Sequence, residues 1–308
     1  MTAAKMAVFG VPSAAGGRGP ALSEAPLCLR EAGLLGALRG VVPRVVNLSD
    51  LSLFPFRDDP DHPRARNSAV VACAVRATGD EMTRALREGF TLVLGGDCTL
   101  VVGTLAGARQ ALGQSVGLVY LDANGDLNTP ETTPSGYLSG MALALALGRG
   151  PEEVTTAAGP APVVLPDHVA LVGFRALDPG ERGALGDLGL ALPAGAAKKL
   201  GMRTTAALAL DAVENGDGPV LVHVDIDVID AAEMPAKQVL TPGTGLTLLE
   251  LRDLLTALLA SPRVIAVEVM ELSPDRDPDG TYARRLVELL TYAVGRRFRR
   301  AGRGPSPE

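Results

Sequence analysis

Short runs of Val, Leu and Ile recur along the chain, separated by stretches whose apolar residues fall at helical spacing. The runs at residues 6–11, 41–48, 91–94, 115–121, 168–174, 220–226 and 264–270 read as strands. Helical patterns cover 22–38, 68–88, 141–147, 203–214, 247–259 and 282–294, with a shorter one at 179–186. A Pro-containing polar loop spans 57–66, and a Gly/Pro/Ala stretch at 148–162 reads as a loop or insertion. Strands that are apolar on both faces, each returned by a helix, predict a mainly parallel sheet between two helix layers, an α/β chain of the three-layer α/β/α sandwich type. No repeat and no linker-like shift interrupts the pattern. Residues 1–300 are therefore expected to form a single domain, with 301–308 a disordered tail.

Composition narrows the function classes. In 308 residues, 47% are hydrophobic, only 3% are aromatic and Trp is absent, so aliphatic side chains must fill a large core. A net charge of −6 gives no electrostatic footprint for nucleic acid. The short basic run at 296–300 is expected to be a solvated end. Three cysteines, Cys28, Cys73 and Cys98, make no disulfide framework. No apolar run is long enough to span a membrane and none at the N-terminus resembles a signal segment, so a cytoplasmic protein is expected.

Three strand ends carry chemistry. After the 91–94 run come Gly95-Gly96-Asp97-Cys98, a tight turn followed by a potential thiolate ligand. After the 115–121 run come Asp122, Asn124 and Asp126, an oxygen-rich cluster that suits a hard or borderline divalent cation. The third is His223-Val224-Asp225-Ile226-Asp227, whose alternation puts three polar side chains on one face. Buried carboxylates side by side repel unless a cation neutralises them, so Asp225 and Asp227 read as metal ligands. His223, deeper along the strand, reads as a hydrogen-bonded core histidine.

With these residues in place the chain resembles the arginase and agmatinase (ureohydrolase) family over nearly its whole length. The likeness is carried by Gly19-Pro20, Gly95-Gly96-Asp97, the Asp-Ala-Asn-Gly-Asp-Leu-Asn-Thr-Pro segment at 122–130, Asp225-Ile226-Asp227 and Met270-Glu271, in that order. The resemblance implies a three-layer fold holding two Mn2+ ions that activate water for attack on a guanidinium carbon. It implies that Asp122 and Asp225 bridge the ions, that Asp126 completes one and Asp227 the other, and that Glu271 pairs with the guanidinium. It also implies a homo-oligomer, a trimer or hexamer.

Departures from the family pattern fall on the ligands. The family has histidine where this chain has Cys98, Asn124 and Ser139, and the three histidines present, His62, His168 and His223, lie elsewhere. Ser139 stands where arginases carry a proton-shuttling histidine and is expected to face the substrate. Cys98 and Asn124 would be poorer manganese ligands than imidazole, so one or two ions are expected, at least one held weakly.

The substrate end keeps its polar groups. Asp178 and Glu181 resemble the pair that holds the substrate α-amino group in arginases. Asn128, Thr133 and Ser135 match positions that grip the α-carboxylate, with Tyr137 replacing an Asn. An arginine-like amino acid is the expected substrate. A less basic hydroxyguanidine needs less electrophilic help, so Nω-hydroxy-L-arginine, cleaved to hydroxyurea and L-ornithine, is preferred; the resemblance extends to a hydroxyarginine-hydrolysing branch associated with antibiotic biosynthesis. A catalytically silent relative that binds an amino acid or a partner subunit, and an ordinary arginase or agmatinase, remain as alternatives.

Overall fold

The computed structural model describes residues 5–213 and 216–301. Its elements are β1 (Lys5–Gly10), α1 (Ala25–Glu31), α2 (Leu34–Arg39), β2 (Arg44–Asn47), α3 (Ser68–Ala85), β3 (Phe90–Leu94), α4 (Leu100–Leu112), β4 (Gly117–Leu121), α5 (Ala142–Ala146), α6 (Glu152–Thr155), β5 (Val169–Val172), β6 (Leu190–Leu192), α7 (Ala194–Leu200), α8 (Met202–Ala212), β7 (Val220–Asp225), α9 (Leu248–Leu258), β8 (Val264–Met270) and α10 (Thr281–Ala301). The eight strands form one sheet in the order β2-β1-β3-β8-β7-β4-β5-β6. Every pairing is parallel, as the doubly apolar strands predict. β7 and β8, last in the chain, fill the gap between β3 and β4, so the four central strands come from distant parts of the sequence.

Alternation along each strand feeds two apolar layers. Met6, Val8, Leu92, Leu94, Val119, Val222 and Val267 pack under α1, α2, α8, α9 and α10. Ala7, Phe9, Val93, Leu118, Leu171, Leu221 and Ala266 pack under α3, α4 and α5. Each strand residue changes layer with its neighbour, and nearly every position of β1, β3, β4, β5, β7 and β8 is buried, while the edge strands β2 and β6 are not. α9 begins with a complete capping box, Thr247 accepting from the Glu250 amide while Glu250 accepts from the Thr247 amide.

Several local expectations are corrected. The helix expected over 22–38 is broken: a 3-10 turn at Pro20–Glu24 leads into α1, and Gly33, at φ 93°, separates α1 from α2. A left-handed residue cannot continue a right-handed helix, and glycine reaches that conformation without steric cost. α4, rich in Val, Gly and Ala, follows the Gly95-Gly96 turn without a polar stripe and was not anticipated; nor were the edge strand β6 and α7. The stretch at 148–162 contains the short α6, and the segment expected as a helix over 179–186 is a 3-10 turn at Arg182–Asp187.

The basic run at 296–300 is not a free end. It continues α10, where Arg297 donates to the carbonyls of Leu259 (3.0 Å) and Ser261 (2.9 Å) and lies over the Phe90 ring. Phe298 meets Phe90 edge-on at 6.2 Å and is 7% exposed. Apolar residues at 286, 289, 290, 293, 294 and 298 hold the helical period to its end, which docks the last turns. Residues 302–308 of the expected tail lie outside the described residues. Phe298→Ala should lower the free energy of unfolding by about 3–5 kcal/mol, as for a buried Phe. Denaturant titration checks this; a change within about 0.5 kcal/mol would mark the segment as solvated.

Candidate metal centre and substrate cleft

The carboxyl ends of the four central strands meet at one edge of the sheet, the side on which open parallel sheets place ligands. β3 delivers Cys98, β4 delivers Asp122, Asn124 and Asp126, β7 delivers Asp225 and Asp227, and β8 delivers Glu271. Two strands end in the same way. The Oδ1 of Asp122 accepts the Asn124 amide at 2.6 Å, and the Oδ1 of Asp225 accepts the Asp227 amide at 2.6 Å. These are Asx turns, in which a short carboxylate closes the chain on itself two residues on. The second oxygen of Asp225 accepts from the Cys98 thiol at 3.3 Å, while that of Asp122 has no partner among the described residues.

Backbone strain helps to place the other acids. Asp126 at φ 50° and Glu271 at φ 68° are both left-handed, a conformation non-glycine residues rarely adopt. Asp126 is held by the Tyr120 hydroxyl, which donates at 2.6 Å, and Glu271 by its own amide bonded to the Gly96 carbonyl at 2.8 Å. The turn before Cys98 needs glycine for close approach: a Cβ at Gly96 would sit 1.6 Å from the Ser13 carbonyl oxygen. Asp97 fastens that turn to the N-terminal segment by accepting from Ser13 Oγ (2.8 Å), the Gly16 amide (3.2 Å), and the Thr99 amide and hydroxyl.

Every residue expected at the site lines one cleft except Asp122, which is fully buried beneath it. The acids nonetheless reach one another. Asp122, Asp225 and Asp227 offer oxygens within 4.8 Å of each other, and Cys98, Asp225 and Glu271 form a second such group. Among the described residues, none of the four aspartates is ion-paired with Lys or Arg. Lys237 and Arg175 come close but donate to backbone carbonyls of residues 227–229 instead. Burial, and then the neighbouring carboxylates, hold Asp122, Asp225 and Glu271 well above the usual carboxylate range. Burial pushes Asp126 to about 8 and raises the Cys98 thiol.

The expected ligands are not equivalent. Asp227 has both oxygens engaged, accepting from the Ala123 amide (3.0 Å), Asn124 Nδ2 (2.8 Å) and Thr241 Oγ1 (2.7 Å). Asn124 thus reaches the cluster through its nitrogen, as a donor to a carboxylate rather than as an oxygen ligand. Asp122 Oδ2, by contrast, is buried and has no partner among the described residues. The alternation expected to run through Asp227 stops at Asp225, where β7 gives way to a 3-10 turn over Ile226–Val228.

At the outer end, Asn128 Nδ2 donates to Asp178 Oδ2 at 2.9 Å, joining the segment after β4 to the loop after β5. Glu181 fastens the same junction, accepting the amides of Leu127 (2.9 Å) and Asp178 (2.7 Å). Thr133 Oγ1 accepts the amides of Ser135 and Gly136, and Ser135 Oγ that of Tyr137, building the loop that faces them. The guanidinium groups of Arg18 and Arg66 both lie over the Tyr137 ring, 5.4 and 5.1 Å from its centre. The Ser139 amide bonds to the Gly16 carbonyl at the cleft wall.

The Arginase family model matches residues 4–295. The chain belongs to the arginase family. An arginase from Bacillus caldovelox is 29% identical over 298 residues, covering 95% of this chain and 99% of the relative. The crystal structure of arginase from Bacillus cereus superposes with a TM-score of 0.84 at 28% identity, covering 96% and 98% of the two chains. Proclavaminate amidino hydrolase from Streptomyces clavuligerus shares the fold at a TM-score of 0.73 and 23% identity, over 96% of this chain and 93% of that one.

Sequence reasoning missed Lys237, Thr241, Tyr120 and the Glu268 partner of His223. Tyr120 could have been found, because it lies two residues before Asp122 on the same strand face; Lys237 sits in an irregular loop without periodicity. The raised acids give the metal-free protein a pH signature. Asp126, near 8 when folded against 3.8 as its reference value, binds its proton more tightly in the folded state, so stability is full below about pH 4 and falls as pH rises through 8. Thermal unfolding of metal-free protein should therefore fall between pH 5 and pH 8.5, and a divalent cation should reverse the fall. A midpoint unaffected by the cation at pH 8.5 would contradict the reading.

Proposed function

We propose that this chain is a metal-dependent amidinohydrolase acting on an arginine-like amino acid, with Nω-hydroxy-L-arginine as substrate and hydroxyurea and L-ornithine as products. One observation carries the reading: a buried, unpaired carboxylate cluster and the Asn128–Asp178 pair open onto a single cleft. The cluster suits a guanidino-cleaving centre, and the outer pair suits the α-amino end of an amino acid.

The donor set fits a divalent cation, because the unpartnered Asp122 Oδ2 lies among carboxylates that burial otherwise keeps protonated. Asp122 and Asp225, with Cys98 and Asp126 beside them, would hold the ion. Asp227 and Asn124, already bonded to one another, favour one firmly held ion over two. A divalent cation held there supplies Lewis acidity, which makes water a nucleophile at neutral pH.

The chain's own groups do the rest. Glu271 projects its carboxylate into the cleft beside Cys98 and pairs with the guanidino group. Asp126, steadied by the Tyr120 hydroxyl, lines the same cleft and, once ionised by a cation held beside it, could accept a proton from attacking water. Asp178 and Asn128 orient the α-amino group, Glu181 locks their loop, and Thr133, Ser135 and Tyr137 border the α-carboxylate. Ser139 cannot carry a positive charge as histidine does. The leaving ornithine amine thus receives less protonation help, whichever guanidino substrate is bound.

Ornithine release measured with added Mn2+ should be faster from Nω-hydroxy-L-arginine than from L-arginine, by about tenfold or more in kcat/KM. Faster turnover of arginine would overturn the substrate assignment. No ornithine from either would favour the silent relative, for which the Asn124 and Thr241 bonds to Asp227 are the supporting feature. Asp178→Asn should raise KM about 10- to 100-fold, the loss of one charge-assisted hydrogen bond, with kcat little changed. An unchanged KM would remove Asp178 from the substrate grip.

A further inference from the structure

We propose that His223 is a metal ligand, that with Cys98 and Asp122 it forms a sulfur, nitrogen and oxygen site at the base of the cleft, and that this site takes one zinc-class ion in preference to manganese. The assignment rests on the metal-dependent reading of the cleft and names the ion class and a ligand that reading does not contain. The Cys98 sulfur, a ring nitrogen of His223 and a carboxylate oxygen of Asp122 lie within 4.8 Å of one another, and all three residues are buried. Tetrahedral ligands bonded at about 2.0–2.3 Å stand about 3.3–3.8 Å apart, inside that limit.

Two of the three residues carry an orphaned atom. His223 is fully buried, and its Nε2 has no hydrogen-bond partner among the described residues; Asp122 Oδ2 has none either. An unpaired buried polar atom is costly, and two beside a thiol are rarely left so without a ligand. The other ring nitrogen explains the orientation. Nδ1 lies 2.7 Å from Glu268 Oε1, and Glu268 Oε2 accepts the Thr104 hydroxyl at 2.7 Å. A carboxylate accepting the Nδ1 proton leaves Nε2 with a free lone pair, which is the arrangement behind metal-bound imidazoles. Glu268 is a positioning residue.

Sheet register builds the arrangement. Tyr120, His223 and Glu268 are cross-strand partners on β4, β7 and β8, so the row spans three central strands on the face covered by α4. Tyr120 stacks on the imidazole, the rings 4.1 Å apart and 1° from parallel, which fixes the ring plane. That row is polar in an otherwise aliphatic layer. Thiolate and imidazole favour Zn2+ over Mn2+.

The test uses the whole metal-free chain loaded with Co2+ or Zn2+. One equivalent of Co2+ should give a near-ultraviolet thiolate charge-transfer band. X-ray absorption of the zinc form should show one sulfur at about 2.3 Å and imidazole nitrogen at about 2.0–2.1 Å. Cys98→Ser should remove the cobalt band. Glu268→Gln should weaken zinc binding about 10- to 100-fold with the band retained, and His223→Gln should weaken it at least as much. The wild-type spectra do not depend on whether a variant folds. An oxygen-only shell, or displacement of zinc by equimolar Mn2+, would overturn this site and leave the cleft a metal centre of another kind. Failure to retain any cation would overturn both this site and the metal-dependent function.

Discussion

Four carboxylates are brought together at the ends of two neighbouring parallel strands, out of water and, among the described residues, without an ion pair to a basic side chain. Like charges so close are tolerated only if they hold protons or surround a cation. Much of the local architecture meets that constraint. Asx turns at Asp122 and Asp225 stop the strands and fix one oxygen of each acid, leaving the other to the interior. Lys237 and Arg175, which could have neutralised the cluster, are spent on the carbonyls that follow β7. Asp97, another buried acid nearby, is occupied in holding the N-terminal segment against the turn before Cys98.

Within the cluster, hydrogen bonding divides the acids into two kinds. Asp227 is saturated by an amide, an asparagine and a threonine, whereas Asp122 keeps an open oxygen. The asymmetry follows from the replacements. An asparagine nitrogen donates where an imidazole would accept, so it satisfies Asp227 directly. A thiol beside Asp225, and an imidazole on β7 whose Nε2 has no partner among the described residues, add sulfur and nitrogen to the oxygen donors. The outer half of the cleft is unaffected, because Asn128, Asp178 and Glu181 are tied to the loops after β4 and β5 by their own bonds.

The acids were legible because each follows an apolar run with no charge of its own, and a carboxylate at such a boundary has few structural uses. Arginase-family membership was legible for the same reason, from the order of four strand-end motifs. The hydroxyarginine preference has no such backing in the family comparison and stands on the ligand replacements. What stayed hidden depends on neighbours. α4 carries no polar stripe because both of its faces meet other elements, so periodicity had nothing to detect. Gly33 breaks a helix that apolar spacing alone would continue. The sequence reading of His223 as a hydrogen-bonded core histidine is half right: Glu268 takes one nitrogen, and only the fold shows that no described residue takes the other.

The count of divalent cation retained per chain after exhaustive dialysis tests this most directly, with wild-type protein set beside an Asp122→Asn, Asp225→Asn double variant. Elemental analysis is expected to find at least one ion on each wild-type chain and none on the folded variant. A wild-type chain that returns from dialysis without metal, its acids content with protons alone, would contradict the central claim.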